Sequence, residues 1–124
     1  MNDTVKEWVQ KAERDFATAK RELVAVDQPN YDAVCFHAQQ CIEKLLKGLL
    51  IHLDTIPIKT HDLAYLGQLL SLPFPGWDWP VEDLRFLTRA AVAFRYPGES
   101  ADREEAALSL DIATRLRAKL LSLF

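Results

Sequence analysis

NYDAVCFHAQQCIEKLLKGLLIHL, residues 30–53, reads as one long helix that starts near Asn30 or Asp32 and runs to about Leu53. At 100° per residue, Val34, Ala38, Cys41, Ile42, Leu45, Leu46, Leu49 and Leu53 cover about half of its circumference. An apolar arc that wide needs neighbours on several sides, which predicts a helix central to a bundle. The remaining wedge is polar: Gln39, Gln40, Glu43, Lys44 and Lys47. Glu43 and Lys47 stand in the favourable i,i+4 order. Two readings of this wedge are open. It is a solvated face, or it is a lysine and glutamine strip that binds phosphate or a partner.

Helical periodicity continues on both sides. Upstream, Val5, Trp8, Val9, Ala12, Phe16, Ala19 and Leu23 recur at steps of three and four, behind a cap at Asp3 or Thr4. This helix is expected to end near Asp27, where Pro29 stops the pattern. Downstream, Ile56-Pro57-Ile58 breaks the central helix. Thr60 is placed to cap a short third helix from His61 to Ser71. The segment LPFPGWDWP, residues 72–80, is a loop by its prolines. Its Phe74, Trp77 and Trp79 either form a binding surface or fold back to lid the core, and the lid is the expectation. Pro80 suits the first turn of a fourth helix carrying Val81, Leu84, Leu87, Ala91 and Phe94, halted by Pro97-Gly98. Ser100 is the expected cap of a fifth, with Asp102, Glu104 and Glu105 in its first turns, where negative charge suits the helix dipole. Its stripe is Leu108, Ile112, Leu116 and Leu120. No strand-like alternation occurs. The fold class predicted is all-α, an antiparallel up-and-down bundle of four or five helices in a single domain over residues 1–124.

Composition fits that reading. The chain has 124 residues, 49% of them hydrophobic and 27% charged. A domain of this size buries roughly two-thirds of its unfolded surface and needs neither disulfide nor metal to fold. A disordered chain is excluded. The net charge of −3 disfavours a broad electrostatic nucleic-acid surface but leaves room for a local basic patch.

Cys35 and Cys41 lie six apart on the central helix and make neither a CxxC motif nor a zinc set; buried free thiols are expected. His37, His52 and His61 form no HxxxH or HExxH motif. His37 and Cys41 could share a helix face, but no third ligand is evident. GxSxG is absent, and the four glycines are too scattered for a phosphate loop. No metal, no cofactor and no catalytic residue are therefore expected. No apolar run reaches the roughly 18 residues a membrane span needs. MNDTVKEW lacks a signal peptide's apolar core. The expectation is a cytoplasmic protein that does not enter a membrane.

Arg95-Tyr96-Pro97-Gly98 is the second candidate site. Tyr96 precedes proline and should leave the helix, projecting arginine and tyrosine together from the end of an apolar helix. A guanidinium grips phosphate in bidentate fashion, and a phenol ring stacks on a base. The competing reading is a plain helix stop, with Tyr96 on the core and Arg95 paired to Glu99 or Asp102.

Three segments taken together carry a resemblance: CFHAQQCIEKLLKGLL (35–50), THDL (60–63) and FRYPG (94–98). In order and spacing the chain resembles the HEPN domain (higher eukaryotes and prokaryotes nucleotide-binding) over nearly its whole length. The resemblance implies a helical bundle, usually a homodimer, and association with nucleotide or RNA. A second, weakly apolar face on the fifth helix (Ala107, Leu110 and Leu121) adds to the expectation of a homodimer. The resemblance also implies a minimal nucleotidyltransferase partner in a toxin–antitoxin or related two-gene module. Many HEPN proteins are metal-independent ribonucleases whose motif is arginine, four to six residues, then histidine. Here no histidine follows Arg95 at all. The reading that follows is a non-catalytic or weakly active HEPN-type protein binding through Arg95, Tyr96, Lys44, Lys47, Gln40 and His61. The alternatives are an endoribonuclease toxin using Arg95 and Tyr96 with the distant His61, and a dimeric scaffold with no ligand.

Overall fold

A computed structural model describes all 124 residues. It holds five helices and no strand: α1 (Asp3–Leu23), α2 (Tyr31–His52), α3 (Leu63–Ser71), α4 (Val81–Ala93) and α5 (Arg103–Leu121). The all-α bundle is as predicted. Both ends of α2, capped at Asn30 and Leu53, and the Ser71 end of α3 are as expected; other helix ends differ in detail, each for a local reason. Asn2 caps α1, its side chain accepting from Val5 N at 2.8 Å, in place of Asp3 or Thr4. α1 stops at Leu23, short of Asp27. Val24 and Val26 beyond it lie exposed, so no burial rewards further turns, and Glu22 already accepts from Asn30 N at 2.6 Å to start the reversal.

Asp62 caps α3 through Ala64 N and Tyr65 N, leaving Thr60 and His61 outside the helix. Pro80 occupies the cap position of α4 and Val81 opens the helix. Asp102, not Ser100, caps α5, in a reciprocal capping box with Glu105. Leu108 is exposed; Ala106, Ser109 and Ala113 join Ile112, Leu116 and Leu120 on the buried face.

Cross-helix pairs give the topology. Asp15 meets His37 and Lys44, and Gly48 lies against Trp8, so α1 and α2 are antiparallel. Cys35 meets Ser109, and His52 meets Phe124, so α2 and α5 run parallel. Arg117 forks onto Glu13 with three contacts of 2.7–3.1 Å and lies over Phe16, clamping α5 to α1. Arg115 reaches Asp83 from α5 to α4. The four longer helices therefore alternate in direction, and α2 touches each of the other four.

The short α3 departs from the alternation. After Leu53 the chain doubles back until His61 stands beside Glu43, more than two turns before the end of α2. From there α3 runs parallel to α2 and antiparallel to α4, as the Leu63 N to Thr88 hydroxyl bond and the Gly67–Leu84 approach show. Ile42, Leu45, Leu46 and Leu49 of α2 form the middle of the core, with Leu63, Leu66, Leu70, Leu84 and Leu87 on one side and Phe16, Ile112 and Leu116 on others. The 72–80 loop lids this core: Phe74, Trp77 and Trp79 pack on it, the two indoles 4.5 Å apart. Trp79 Nε1 donates to Phe74 O. No helix is long and apolar enough to cross a membrane.

Candidate functional site

The polar wedge of α2 is not a plain solvated face. Gln39 and Glu43 are buried, at 2% and 5% exposure. Glu43 accepts from Gln39 Nε2 at 3.0 Å, Lys47 Nζ at 3.0 Å and His61 Nδ1 at 2.8 Å. Burial pushes its pKa up; the hydrogen bonds from Gln39, His61 and Lys47 outweigh that and leave it below the ordinary carboxylate value. Gln39 Nε2 also donates to the His61 carbonyl, and Gln40 Nε2 donates to Gln39 Oε1. A second buried carboxylate, Asp15 of α1, takes His37 Nδ1 at 2.8 Å and Lys44 Nζ. Two carboxylate–histidine pairs thus stand on the polar side of α2.

Arg95 follows the end of α4. It makes no ion pair, with Glu99, Asp102 or any other carboxylate; its guanidinium lies 5.2 Å from the centre of the Phe36 ring. The plain helix-stop reading of the RYPG turn, with arginine paired locally and tyrosine on the core, is overturned on both counts. Tyr96 is 64% exposed, because the pre-proline backbone swings it away from the bundle.

Arg95 divides two hollows. One, a cleft of about 40 Å3, is lined by Phe36, Gln39, Gln40, His61, Thr88 and Arg95 among others. The second, about 360 Å3, is lined by Asn30, Phe36, His37, Phe94 and Arg95 among others. The structure therefore brings Arg95, Gln40 and His61 together from three separate parts of the chain. Lys47 stands behind them, engaged by Glu43; Lys44 turns toward α1; Tyr96 lies outside both hollows.

Phe36 and Asp15 are the site neighbours that pattern reading passed over. Asp15, a charged residue next to Phe16 and between Ala12 and Ala19 of the α1 stripe, is the signal that could have found one of them. A larger hollow, about 610 Å3 between α3 and α4, lies elsewhere. Its Arg85 is held by Glu82 and its Asp62 by the α3 cap, while its Arg89 makes no ion pair. No three His, Cys, Asp or Glu side chains gather where one ion could be held.

The fold and its charged cleft define a small all-helical domain with a cationic, histidine-bearing mouth beside its central helix. The HEPN domain profile matches residues 5–123, and the chain belongs to the HEPN domain family. Among solved structures it is similar to TT1696 from Thermus thermophilus, with a TM-score of 0.82 and 26% identity, covering 99% of this chain and 100% of that one. It is also similar in fold to ST0689, an archaeal HEPN homologue, with a TM-score of 0.69 and 23% identity over 95% of each chain. No curated protein matches the chain.

Proposed function

We propose that the Arg95 cleft binds the phosphate of a nucleotide or RNA, and that the protein acts as a non-catalytic or weakly active HEPN-domain homodimer. Its partner on this reading is a minimal nucleotidyltransferase, in a module of the toxin–antitoxin type. The observation that carries the binding reading is the state of Arg95. A guanidinium without a carboxylate, braced on an aromatic ring at the mouth of a cleft, keeps its forked donors for an anionic ligand. Lys47 and Lys44 add positive potential from behind, partly cancelled by Glu43 and Asp15. The test is titration of fluorescent single-stranded RNA and of nucleotides with wild-type protein and Arg95→Ala. Weaker binding by the variant is expected, and equal binding sinks the reading.

One observation favours a second reading, a metal-independent endoribonuclease. His61 shares the cleft with Arg95, its ring oriented by Glu43 as a carboxylate orients a general base. A single imidazole in the cleft gives one proton acceptor and no separate donor for the departing 5′-oxygen, which is why binding is the leading reading. An RNA cleavage assay separates the two. No appreciable cleavage by wild type is expected. Robust cleavage lost in both Arg95→Ala and His61→Ala would establish the nuclease.

A further inference from the structure

We infer that the groove between α3 and α4 is a second ligand site, built for a small organic acid that carries one carboxylate on an apolar body. It is independent of the Arg95 cleft and of the phosphate reading made there. The groove exists because α3 turns small side chains toward α4. Ala64, Gly67 and Ser71 line it at helical steps of three and four, opposite Val81, Leu84 and Thr88. Gly67 lets Leu84 and Trp79 close on the α3 backbone: a Cβ there would stand 3.0 Å from Leu84 Cδ1 and 3.4 Å from Trp79 Cε3. What remains is a hollow of about 610 Å3, a volume within the range of small-molecule sites.

Two cross-helix contacts fix the polarity of the groove. The Leu63 N to Thr88 hydroxyl bond sets residues 62–65 beside 88 and 89, so Arg89 stands at the end that Tyr65 shares. The Gly67–Leu84 approach lays Leu84 and Trp79 along the floor toward the other end. One end is therefore cationic and the other aromatic and aliphatic. Arg89 makes no ion pair and no hydrogen bond, and neither the Tyr65 hydroxyl nor the Gln68 amide has a partner within the fold. Arg85, one turn before Arg89, is drawn to Glu82. Thr88 is spent: its hydroxyl donates to Leu84 O and accepts from Leu63 N. The groove thus offers one free guanidinium fork, with a phenol and an amide on the same hollow, above an apolar floor.

The anion that fits is singly charged. A guanidinium fork meets a carboxylate with two parallel hydrogen bonds. A phosphate dianion asks for more, and the groove withholds it. The first N–H groups of α3 are already taken, Leu63 N by Thr88 and Ala64 N and Tyr65 N by Asp62, so no backbone cradle is open. Asp62 lines the groove and Glu82 sits on Arg85, so two carboxylates stand against two guanidiniums. No sustained positive field is left to hold a polyanion. Acetate would satisfy Arg89 and leave Trp79 and Leu84 wet. An acid with an aromatic or branched aliphatic body answers both ends.

The test is a titration followed by amide and indole NMR signals at roughly pH 7, where an ordinary carboxyl group is ionised. The probes are phenylbutyrate, isocaproate, the neutral phenylbutyramide, acetate and inorganic phosphate. Phenylbutyrate and isocaproate are expected to shift the Gly67 amide and the Trp79 indole in a saturable way. Phenylbutyramide should bind about 10- to 100-fold more weakly than its acid, the range for a lost hydrogen bond to a charged group. Acetate and phosphate should leave both signals in place at the same concentrations. Arg89→Ala should weaken phenylbutyrate as much as the amide substitution does. Arg89→Lys, which keeps the charge but not the fork, should recover only part of the loss. Arg95→Ala should change nothing.

Equal binding of phenylbutyrate and its amide would overturn the inference, as would undiminished binding by Arg89→Ala. So would saturable shifts of these signals by acetate or phosphate, or no shift with either larger acid. Shifts gathered at Phe36 and Arg95 instead would assign the acid to the other cleft and overturn it too. None of these outcomes bears on RNA or nucleotide binding at Arg95, and the comparison of probes needs no variant to fold.

Discussion

Glu43 is one residue with three tasks. It holds Lys47 on its own helix, orients His61 before α3, and fixes Gln39, all from a buried position. Glu43→Gln keeps the volume but sets an amide donor among donors. It should destabilise the fold by about 1–3 kcal/mol, measured by urea unfolding. The pH dependence follows from the lowered pKa. The folded group releases its proton at lower pH than the unfolded one, so its stabilisation is complete above the ordinary carboxylate value of 4.5 and is lost as pH falls through the folded value. Melting curves should therefore show the gap between wild type and Glu43→Gln closing in acid. The thiols behave oppositely. Burial pushes Cys41 up to about 12 and raises Cys35 too. Both are free and buried, so a thiol reagent such as DTNB should leave the native protein untouched at neutral pH and label two cysteines once it unfolds.

Among the elements, the helix bodies were legible, as were both ends of α2, at Asn30 and Leu53, and the end of α3 at Ser71; the other ends were not. Apolar steps of three and four mark α1, α2 and α4 because one face of each must be buried, whatever it meets. The ends depend on which neighbouring polar side chain reaches a free N–H first. At α5 Ser100 was the expected cap; Asp102 and Glu105 cap reciprocally instead, and Ser100 is left outside the helix. Asp102→Ala should cost about 1 kcal/mol in urea unfolding, and Ser100→Ala close to nothing. Equal costs would place the cap elsewhere. The backtracking 53–62 linker was also illegible. A proline between two isoleucines announces a break, but nothing in it says that the chain returns along α2 rather than continuing outward. That path is set by Gln39 and Glu43 capturing His61.

For the whole molecule, light scattering at micromolar concentration should give about twice 14.1 kDa if the homodimer of the proposed function forms, and a clean monomer would count against it. The α5 face of Ala107, Leu110 and Leu121 does not support that dimer as a set. Leu110 and Leu121 pack against the chain's own core, and Ala107 alone stays outside. Sequence by itself determined the helical class, the central place of α2 and the folded-back aromatic lid, because those follow from local periodicity and from how much apolar surface each segment must hide. It also offered Arg95, Gln40 and His61 as separate candidates. Only the tertiary structure decided that they share one cleft, that Tyr96 does not join them, and that the two lysines are engaged by buried carboxylates. These are relations between residues as far as 55 positions apart, from Gln40 to Arg95. A periodic pattern reports which way a side chain faces on its own helix; it is silent on what another helix brings to meet it.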